Sequence, residues 1–300
     1  MVNTVGTYAN FQSTLNDMSS VEGKLLKQQE QLSSGDAFQS FSDMGGQTQQ
    51  YLSLTDTISQ TNQYLANHQT VEANVNTTSS VLTNVISAAN SLQSLIAQRM
   101  SGTESNGFSS EITASWQSLV GQLNTNVSGQ YLFSGSAINT PPINDSTFPT
   151  LQTPGVPDAG YYQGNSQDLT TRIDNTTLVT YNVRANDPAF QQLFAGLAMA
   201  QQGNANNDTA ALKQAETLVQ QGIKGITALQ ASVGTVAGQL VTSDTNLNNQ
   251  KLYYQGLQES IGNTDIVSVS TQVAVNQGVL QAAFEVFAKI TSLQLSSYLK

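Results

Sequence analysis

Two heptad stripes, one at each end of the chain, restrict the fold of this sequence more than any other feature. Along each stripe, apolar residues recur in alternating steps of three and four residues, a period typical of helices that pack along a common seam. The N-terminal stripe consists of Tyr8, Phe11, Leu15, Met18, Leu25 and Leu32. The C-terminal stripe consists of Ile266, Val269, Val273, Asn276, Leu280, Ala283, Phe287 and Ile290. The two ends are therefore predicted to form helices that pair with each other.

Each terminal helix also carries a second apolar line beside its seam, made of Val21 and Leu26 in one helix and of Val275, Val279, Val286 and Leu293 in the other. Pairing two such helices leaves apolar surface in water, so further copies of the chain are the expected neighbours. The sequence thus predicts a polymer subunit.

Asn276 either fixes the register of the seam or is an amide tolerated at its edge. The residues expected at contacts between copies are Tyr8, Phe11, Leu15, Met18, Ile266, Val269, Val273, Leu280, Phe287 and Ile290.

Composition excludes several classes of function. Only 10% of the residues are charged, far below the share of about 25% in typical globular proteins. Amide and hydroxyl side chains replace the charges, and the hydrogen bonds that they form are screened little by salt. The net charge is -10 without any cluster of Lys and Arg, so nucleic acid is not an expected partner. The absence of cysteine excludes disulfides, thiolate catalysis and cysteine-ligated zinc.

Neither a membrane-spanning segment nor a cleavable signal peptide is predicted. The sequence has no run of eighteen apolar residues, so a transmembrane helix and a membrane partner are not expected. The first 32 residues lack the basic region and the apolar region of a secretory signal. A location outside the cell would therefore require a route of export that reads no such signal.

Helices of unusual length account for most of the chain. The pattern predicts a loop at 36–46 and helices at 6–33, 47–100, 109–128, 188–203, 208–261 and from 265 onward. Helices longer than about 25 residues are typical of coiled coils rather than of globular cores.

Aspartate accepts hydrogen bonds from the free N–H groups at a helix start, so Asp187, Asp208 and either Thr264 or Asp265 are the expected caps. The clearest internal seam consists of Val71, Val75, Thr78, Leu82, Val85, Ala89, Leu92 and Ile96.

A β-rich insert interrupts the helices. Five of the six prolines lie within 137–160, which favours turns and short strands. Apolar and polar residues then alternate at 169–173 and at 179–183, and this predicts a β-hairpin that turns at Asp174 and Asn175. The predicted fold class is mainly α, with long heptad helices forming a coiled-coil rod from both termini and a small inserted β domain. The predicted domains are a terminal coiled-coil polymerisation domain (1–40 plus 264–300), a helical rod domain (41–135 plus 188–263) and a β-rich outer domain (136–187).

The sequence predicts no catalytic, cofactor or metal site. His68 is the only histidine, and it lies in a predicted helix among Asn and Gln, without the Gly-x-Ser-x-Gly turn of hydrolases. It is interpreted as an exposed or inter-helix polar residue. The acidic residues are spread almost evenly, with no close pair outside loops for general acid–base chemistry. No calcium loop and no phosphate-binding glycine loop is present, so an enzyme is not expected.

Short motifs occur in a specific order at the two ends of the chain. The first is Gln31-Leu32-Ser33-Ser34-Gly35, followed by Ser42-Asp43 and a turn of small residues. In the second half, Asn263-Thr264-Asp265 opens a helix that contains Leu280-Gln281-Ala282-Ala283-Phe284 and closes as Leu293-Gln294-Leu295-Ser296-Ser297-Tyr298-Leu299. This arrangement resembles the bacterial flagellin family. One departure is Met44-Gly45, which stands where the family usually has a second Asp and a Pro.

Two further segments resemble the members of this family that lie at the junction between hook and filament. They are Gly129-Gln130-Tyr131-Leu132-Phe133-Ser134-Gly135, at the entry to the insert, and Tyr162-Gln163-Gly164, ahead of the hairpin. The resemblance implies an inner coiled-coil domain from both termini, a helical rod and an outer β domain. It also implies signal-free type III export and self-assembly outside the cell as a structural part of the flagellum.

The partners that the resemblance implies are other copies of the chain, flagellin and a neighbouring hook-associated protein, with an export chaperone as a further candidate. Two alternatives stay open at the level of sequence. The chain could be a filament-forming flagellin with a short outer domain, or a secreted flagellin-like surface adhesin.

Overall fold

The computed structural model of the protein describes residues 2–102, 107–144, 148, 149, 153 and 155–298, with side chains described from Ala9 to Lys289 within these ranges. The described chain is mainly α-helical and contains a few short strands, which confirms the predicted fold class. The helices are α1 (Val2–Ser34), α2 (Thr48–Met100), α3 (Phe108–Leu123), α4 (Pro188–Ala205), α5 (Thr209–Gly262) and α6 (Ile266–Tyr298). The strands are β1 (Asn126–Val127), β2 (Gln130–Tyr131), β3 (Thr170–Arg172) and β4 (Leu178–Thr180).

The chain divides into two compact units. The terminal unit consists of Met1–Gln60 and Gln250–Lys300, and the central unit consists of Thr61–Asn249. The finer division into three domains that the sequence suggests stays a prediction.

Three aspartates begin helices where the sequence predicts caps. The Asp187 carboxylate accepts a hydrogen bond from the N–H of Ala189 at 2.9 Å, with Pro at the first helical position. Asp208 accepts from the N–H groups at the start of α5 at 2.9 and 3.1 Å. Asp265, rather than Thr264, caps α6 by accepting two N–H groups at 3.1 Å. Such side-chain oxygens satisfy N–H groups that lack partners within the helix.

In the terminal unit, α1 ends beside the start of α6. Gly35 adopts φ of +80°, which glycine tolerates without steric cost, and its N–H donates to the carbonyl of Gln31 at 2.9 Å. The carbonyl of Gly35 then accepts the N–H of Thr264 at 2.8 Å, and the N–H of Ala37 donates to the carbonyl of Gly262 at 2.7 Å. The exit of one terminal helix and the entry of the other are therefore tied by backbone hydrogen bonds.

The segment predicted as a loop at 36–46 contains a 3₁₀ helix, Phe41–Gln47, so that prediction is wrong for its second half. The segment bends within this helix at Gly45, which adopts φ of +56°. The Thr48 hydroxyl donates to the carbonyl of Phe41 at 2.7 Å and closes the turn. Buried Met44 packs in a small cluster with Leu54 and Ile261, which gives the turn a fixed position that periodicity does not predict.

The core of the central unit lies among α2, α3, α4 and α5. Trp116 of α3 is almost fully buried, and its ring meets that of Phe194 in α4 edge-on, with centroids 5.0 Å apart. Helices α4 and α5 approach closely because α5 carries Gly222, where a Cβ would lie 2.9 Å from the backbone nitrogen of Leu193. Other fully buried side chains of this core are Leu82, Leu92, Ile96, Phe108, Ile112, Leu119, Leu123, Phe133 and Phe190.

Helix α3 ends at Leu123, five residues before the predicted end of the helix at 128. The following residues instead form strand β1, which pairs with β2 in a tight hairpin. Ser128 and Gly129 at its tip both have positive φ, and the Asn126 side chain accepts the N–H of Gly129 at 2.8 Å. Two consecutive residues of positive φ are typical of the short turns that match strand twist.

The predicted hairpin of the insert is confirmed. Strands β3 and β4 are antiparallel, with Thr171 opposite Val179. The Asp174 carboxylate accepts the N–H groups of Thr176 and Thr177, both at 2.7 Å, within the turn. The strands are shorter than the alternating pattern, since Tyr181 and Val183 lie beyond β4.

Candidate interface on the terminal helices

Helices α1 and α6 pack against each other along the two heptad stripes. The rings of Phe11 in α1 and Phe287 in α6 lie with centroids 5.0 Å apart and planes tilted by 32°. Met18 and Leu25, further along the stripe of α1, are buried. The predicted pairing of the two ends is therefore confirmed within a single chain.

Amide side chains join the two helices at the middle of the seam. The Gln28 side-chain amide donates to the Oε1 of Gln272 at 3.0 Å. In return, the Oε1 of Gln28 accepts a hydrogen bond from the Nδ2 of Asn276, also at 3.0 Å. Asn276 is half-buried in the α6 stripe, so a slip along the seam would break this bond. Of the two readings of Asn276, this geometry favours the register function.

The two flanks of α6 beside the seam are apolar and exposed. On one flank, Val275 is 59% exposed, and Val279 and Val286 are also exposed. On the other flank, Ile266 is 58% exposed and Phe284 is 49% exposed. These last two residues are eighteen positions apart, which is five helical turns, so they lie on the same side. Exposed apolar side chains that share one side of a helix are candidates for an interaction site.

The residues predicted at contacts between copies differ in their exposure within one chain. Leu15 and Ile266 are exposed, and Met18 is buried. Half-buried members are Phe11, Val269, Val273, Leu280 and Phe287. The side chains of Tyr8 and Ile290 lie outside the described residues. Contact between any of these positions and another copy stays a prediction.

Phe284 belongs to this exposed surface but lies outside both heptad stripes and the second apolar line. Its spacing from Ile266 is a signal that the sequence contains, because positions eighteen apart coincide on a helix. Of the second line itself, Leu26, Val275, Val279 and Val286 are exposed and Val21 is half-buried. Leu293 lies outside the described side chains.

In the central unit, the two segments at the entry to the insert contact each other. The N–H of Asn165 donates to the carbonyl of Ser134 at 3.0 Å. A Cβ on Gly164 would lie 2.5 Å from that same oxygen, so only glycine fits beside it. The hydroxyl of Tyr162 donates to the carbonyl of Asn165 at 2.8 Å, and burial raises the pKa of Tyr162 to about 12.

The neighbouring Tyr161 fixes this entry to the core. Its ring meets that of Phe194 edge-on at 4.6 Å, and its hydroxyl donates to the carbonyl of Ala185 at 2.7 Å. Burial is the main cause that raises the pKa of Tyr161 above its ordinary value, and the negative charge of Asp187 acts in the same direction. The phenol is therefore a neutral structural group here.

His68 is a buried residue between helices, one of its two predicted placements. Its Nδ1 lies 2.5 Å from the Oδ1 of Asp244 in α5, and its Nε2 lies 2.9 Å from the carbonyl oxygen of Arg172. Among the described residues, no group of three His, Asp or Glu side chains could hold a metal ion. No helix in the described part of the chain is long and apolar enough to cross a membrane.

Comparison with known protein families finds a match to the first part of the chain. Residues 2–138 match the family described as the bacterial flagellin N-terminal helical region. That range includes α1, α2, α3 and the first of the two segments at the entry to the insert. A search of curated proteins finds no match.

Solved structures share the fold. A Vibrio parahaemolyticus protein assigned as a flagellar hook-associated protein is 17% identical over 74% of this chain and all of its own, with a TM-score of 0.61. Bacillus cereus FlgL is 19% identical over 69% of this chain and 98% of its own, with a TM-score of 0.55. Hook-associated protein 3 of Legionella pneumophila is 12% identical over the same shares, with a TM-score of 0.55. At these identities the likeness concerns the fold alone.

Proposed function

We propose that this chain, whose residues 2–138 match the bacterial flagellin N-terminal helical region, is a structural subunit of the bacterial flagellum. In this proposal it joins the hook to the filament and assembles with copies of itself through α1 and α6. The matched family consists of structural proteins rather than enzymes, and this supports a structural role for the chain.

The observation that carries this proposal is the exposed apolar surface on both flanks of α6. Helix α1 packs along the seam, and Val275 beside the seam and Ile266 at its start remain more than half exposed. Burying apolar area contributes about 25 cal/mol per Å². Neighbours on both flanks would bury this surface, as in a ring or a helical assembly.

The junction role within the flagellum has separate support. The entry segment that ends at Gly135 and the segment around Gly164 resemble junction-type members of the family, and they contact each other through the carbonyl of Ser134. The solved proteins of similar fold from Vibrio parahaemolyticus and Legionella pneumophila carry the name of hook-associated proteins. The proposed partners are accordingly further copies, flagellin and a neighbouring hook-associated protein, with an export chaperone as a candidate. The proposed location is the extracellular flagellum.

Deletion of the gene followed by electron microscopy tests this role. We expect hooks that lack filaments and flagellin that accumulates in the medium, and we expect the wild-type gene to restore filaments. Filaments of normal number and length on the deletion strain would contradict the proposal. Growth of micrometre-long filaments from the pure protein alone would instead favour the alternative of a filament flagellin.

A pair of variants on α6 links that outcome to the exposed apolar surface. Val279→Asp places a carboxylate on the apolar flank, where burial by a neighbour would leave the charge unpaired. Gln281→Asp adds the same charge at an exposed polar position two residues away. We expect only Val279→Asp to fail in complementation while its export and the fold of its central unit are kept. Equal complementation by both variants would count against assembly through this surface.

A further inference from the structure

A single histidine connects the β3–β4 hairpin to two helices of the central unit. His68 projects from α2 and is completely buried. One ring nitrogen lies against the carboxylate of Asp244 in α5 at 2.5 Å, and the other lies against the carbonyl of Arg172 in β3 at 2.9 Å. Both partners of the ring are therefore oxygen atoms.

The chemistry of these oxygens determines how many protons the ring carries. A carbonyl oxygen only accepts hydrogen bonds, so Nε2 carries a hydrogen that it donates to Arg172. An ionised carboxylate also only accepts, so Nδ1 carries a second hydrogen that it donates to Asp244. Only the doubly protonated, positively charged imidazole has two N–H groups. We infer that His68 is a doubly protonated, charged latch that holds the β3–β4 hairpin on α2 and α5, and that loss of one ring proton weakens this docking.

Two further hydrogen bonds within the described part of the chain join this hairpin to the helices, and both are between uncharged groups. The hydroxyl of Tyr64 in α2 donates to the side-chain oxygen of Asn175 at 2.9 Å. The hydroxyl of Ser243 in α5 donates to the carbonyl of Ile173. Neither bond depends on a proton that is gained or lost near neutral pH, whereas histidine ordinarily changes its charge between pH 5 and 8. The latch is thus the pH-dependent part of the docking.

On the helices, few ionisable groups lie near the ring. In α5, Asp244 is the only one between Lys224 and Lys251. In α2, the nearest are Tyr64, one turn before the ring, and Glu72, one turn after it. Tyrosine and glutamate ordinarily titrate well outside the range of histidine, so neither competes with it near neutrality.

The hairpin contributes one charge of each sign. The Arg172 side chain donates to the carbonyl of Asn175 at 3.2 Å, and arginine side chains are not deprotonated in proteins. Hydrogen bonds from Thr176 and Thr177 lower the pKa of Asp174 to about 2, so its carboxylate is also charged throughout. A change in docking near neutral pH is therefore assigned to His68.

Loss of one proton leaves the latch incomplete. The neutral ring has a single N–H, so it can donate either to Arg172 or to Asp244 but not to both. The oxygen without a donor is then held in a buried site, which is unfavourable. Docking is therefore strongest while the ring carries both protons, and it weakens when one of them is lost.

Nitrogen NMR of the full chain tests the protonation state directly. Because His68 is the only histidine, ¹⁵N-histidine labelling gives one pair of ring signals that need no assignment. At pH 6 we expect both nitrogens in the protonated range, each coupled to a bound hydrogen. One unprotonated ring nitrogen at pH 6 in the folded chain would overturn the inference.

Hydrogen exchange of the hairpin amides tests the release. After correction for the intrinsic pH dependence of exchange, we expect protection at Ile173 and Tyr181 to fall about tenfold to a hundredfold once the ring signals report loss of a proton, the range typical of a buried acceptor left unpaired. Protection at buried α4 amides should not change. Hairpin protection that does not follow the ring signals would overturn the proposal.

Two variants separate the latch from the rest of the docking. In Asp244→Asn the side-chain amide can donate to Nδ1 of a neutral ring, so we expect a docked hairpin that has lost its pH dependence. Tyr64→Phe removes an uncharged hydrogen bond, so we expect weaker docking with the same pH dependence as the wild type. If Asp244→Asn retains the wild-type pH dependence, or if Tyr64→Phe abolishes it, the latch is not at His68. Should Asp244→Asn not fold, the wild-type NMR and Tyr64→Phe remain decisive.

Discussion

The central and terminal units carry the same heptad pattern but bury it to different extents. In the central unit, the seam of α2 is closed, with Val75, Leu82 and Ile96 fully buried. In the terminal unit, α1 and α6 pack along their seam, yet the seam residue Ile266 and Val275 beside the seam remain more than half exposed. A heptad stripe therefore predicts that a helix packs, but not how many of its neighbours belong to the same chain.

The physical reason is the number of neighbouring elements. Four helices surround the core of the central unit, and α3 contributes Trp116 and Leu119 to it. In the terminal unit, α6 packs against α1, and a pair of helices cannot bury two apolar flanks as well as a seam. If the proposed assembly is correct, copies of the chain supply the missing neighbours.

The largest effect should come from apolar truncation in the central unit. Leu119→Ala removes a fully buried side chain, and we expect the free energy of unfolding to fall by about 2–5 kcal/mol. Val275 is 59% exposed, so Val275→Ala should change the free energy of unfolding of the unassembled chain by less than about 0.5 kcal/mol. In denaturant unfolding, the fluorescence of Trp116, the only tryptophan, reports on the central unit, and circular dichroism reports on the helices of both units. Similar losses in both variants would remove the distinction between the units.

In limited proteolysis, the terminal unit should be cleaved faster than the central unit. We expect protease to remove the ends of the unassembled chain, up to about Gly35 and from about Asp265, and to leave the central unit intact. Regions with little buried apolar surface open at lower free energy, so initial cleavage there should be at least about tenfold faster than in α4. Mass spectrometry of the fragments identifies the sites, and assembled protein is the control, since burial by neighbours should suppress these cuts. Uniform resistance of the free chain would argue that its ends need no neighbours.

A smaller effect is expected from the amide bonds of the seam. Asn276→Ala removes the hydrogen-bond donor to Gln28. We expect the free energy of unfolding of the terminal unit to fall by about 0.5–1.5 kcal/mol. Gln277→Ala, at an exposed position of the same helix, is the matched control. Thermal unfolding followed by circular dichroism measures the loss. If both variants melt alike, Asn276 is an amide tolerated at the edge rather than a register residue.

The smallest effect concerns pH and the hairpin turn of the central unit. Hydrogen bonds from the N–H and hydroxyl of Thr176, and from Thr177, lower the pKa of Asp174 from 3.8 to about 2. A lowered pKa means that the carboxylate stabilises the turn above about pH 4 and that this contribution is lost as pH falls through 2. Carboxyl NMR should give a midpoint near pH 2 for Asp174, and Asp174→Asn should remove the acid sensitivity of the turn. An ordinary midpoint would show that these bonds do not hold the carboxylate.

Features that depend on neighbours along the chain were predictable. The caps Asp187 and Asp208 lie directly before their helices, and the turn at Asp174 lies directly between its strands. Local hydrogen bonds and side-chain period determine such elements, and both can be seen in a short window of sequence. The 3₁₀ helix from Phe41 onward was not predictable in this way, because burial of Met44 against Leu54 and Ile261 holds it.

The sequence by itself determined that this chain consists of long heptad helices with a small β insert, because helical period and turn residues act over a few positions. Only the tertiary structure decided which apolar residues stay exposed, since the exposure of Val275 and Phe284 depends on the helices around α6. Tertiary structure also gave His68 its two oxygen partners, which lie 104 and 176 residues away along the chain. Contacts over such separations depend on how the whole chain packs, and no local pattern encodes them.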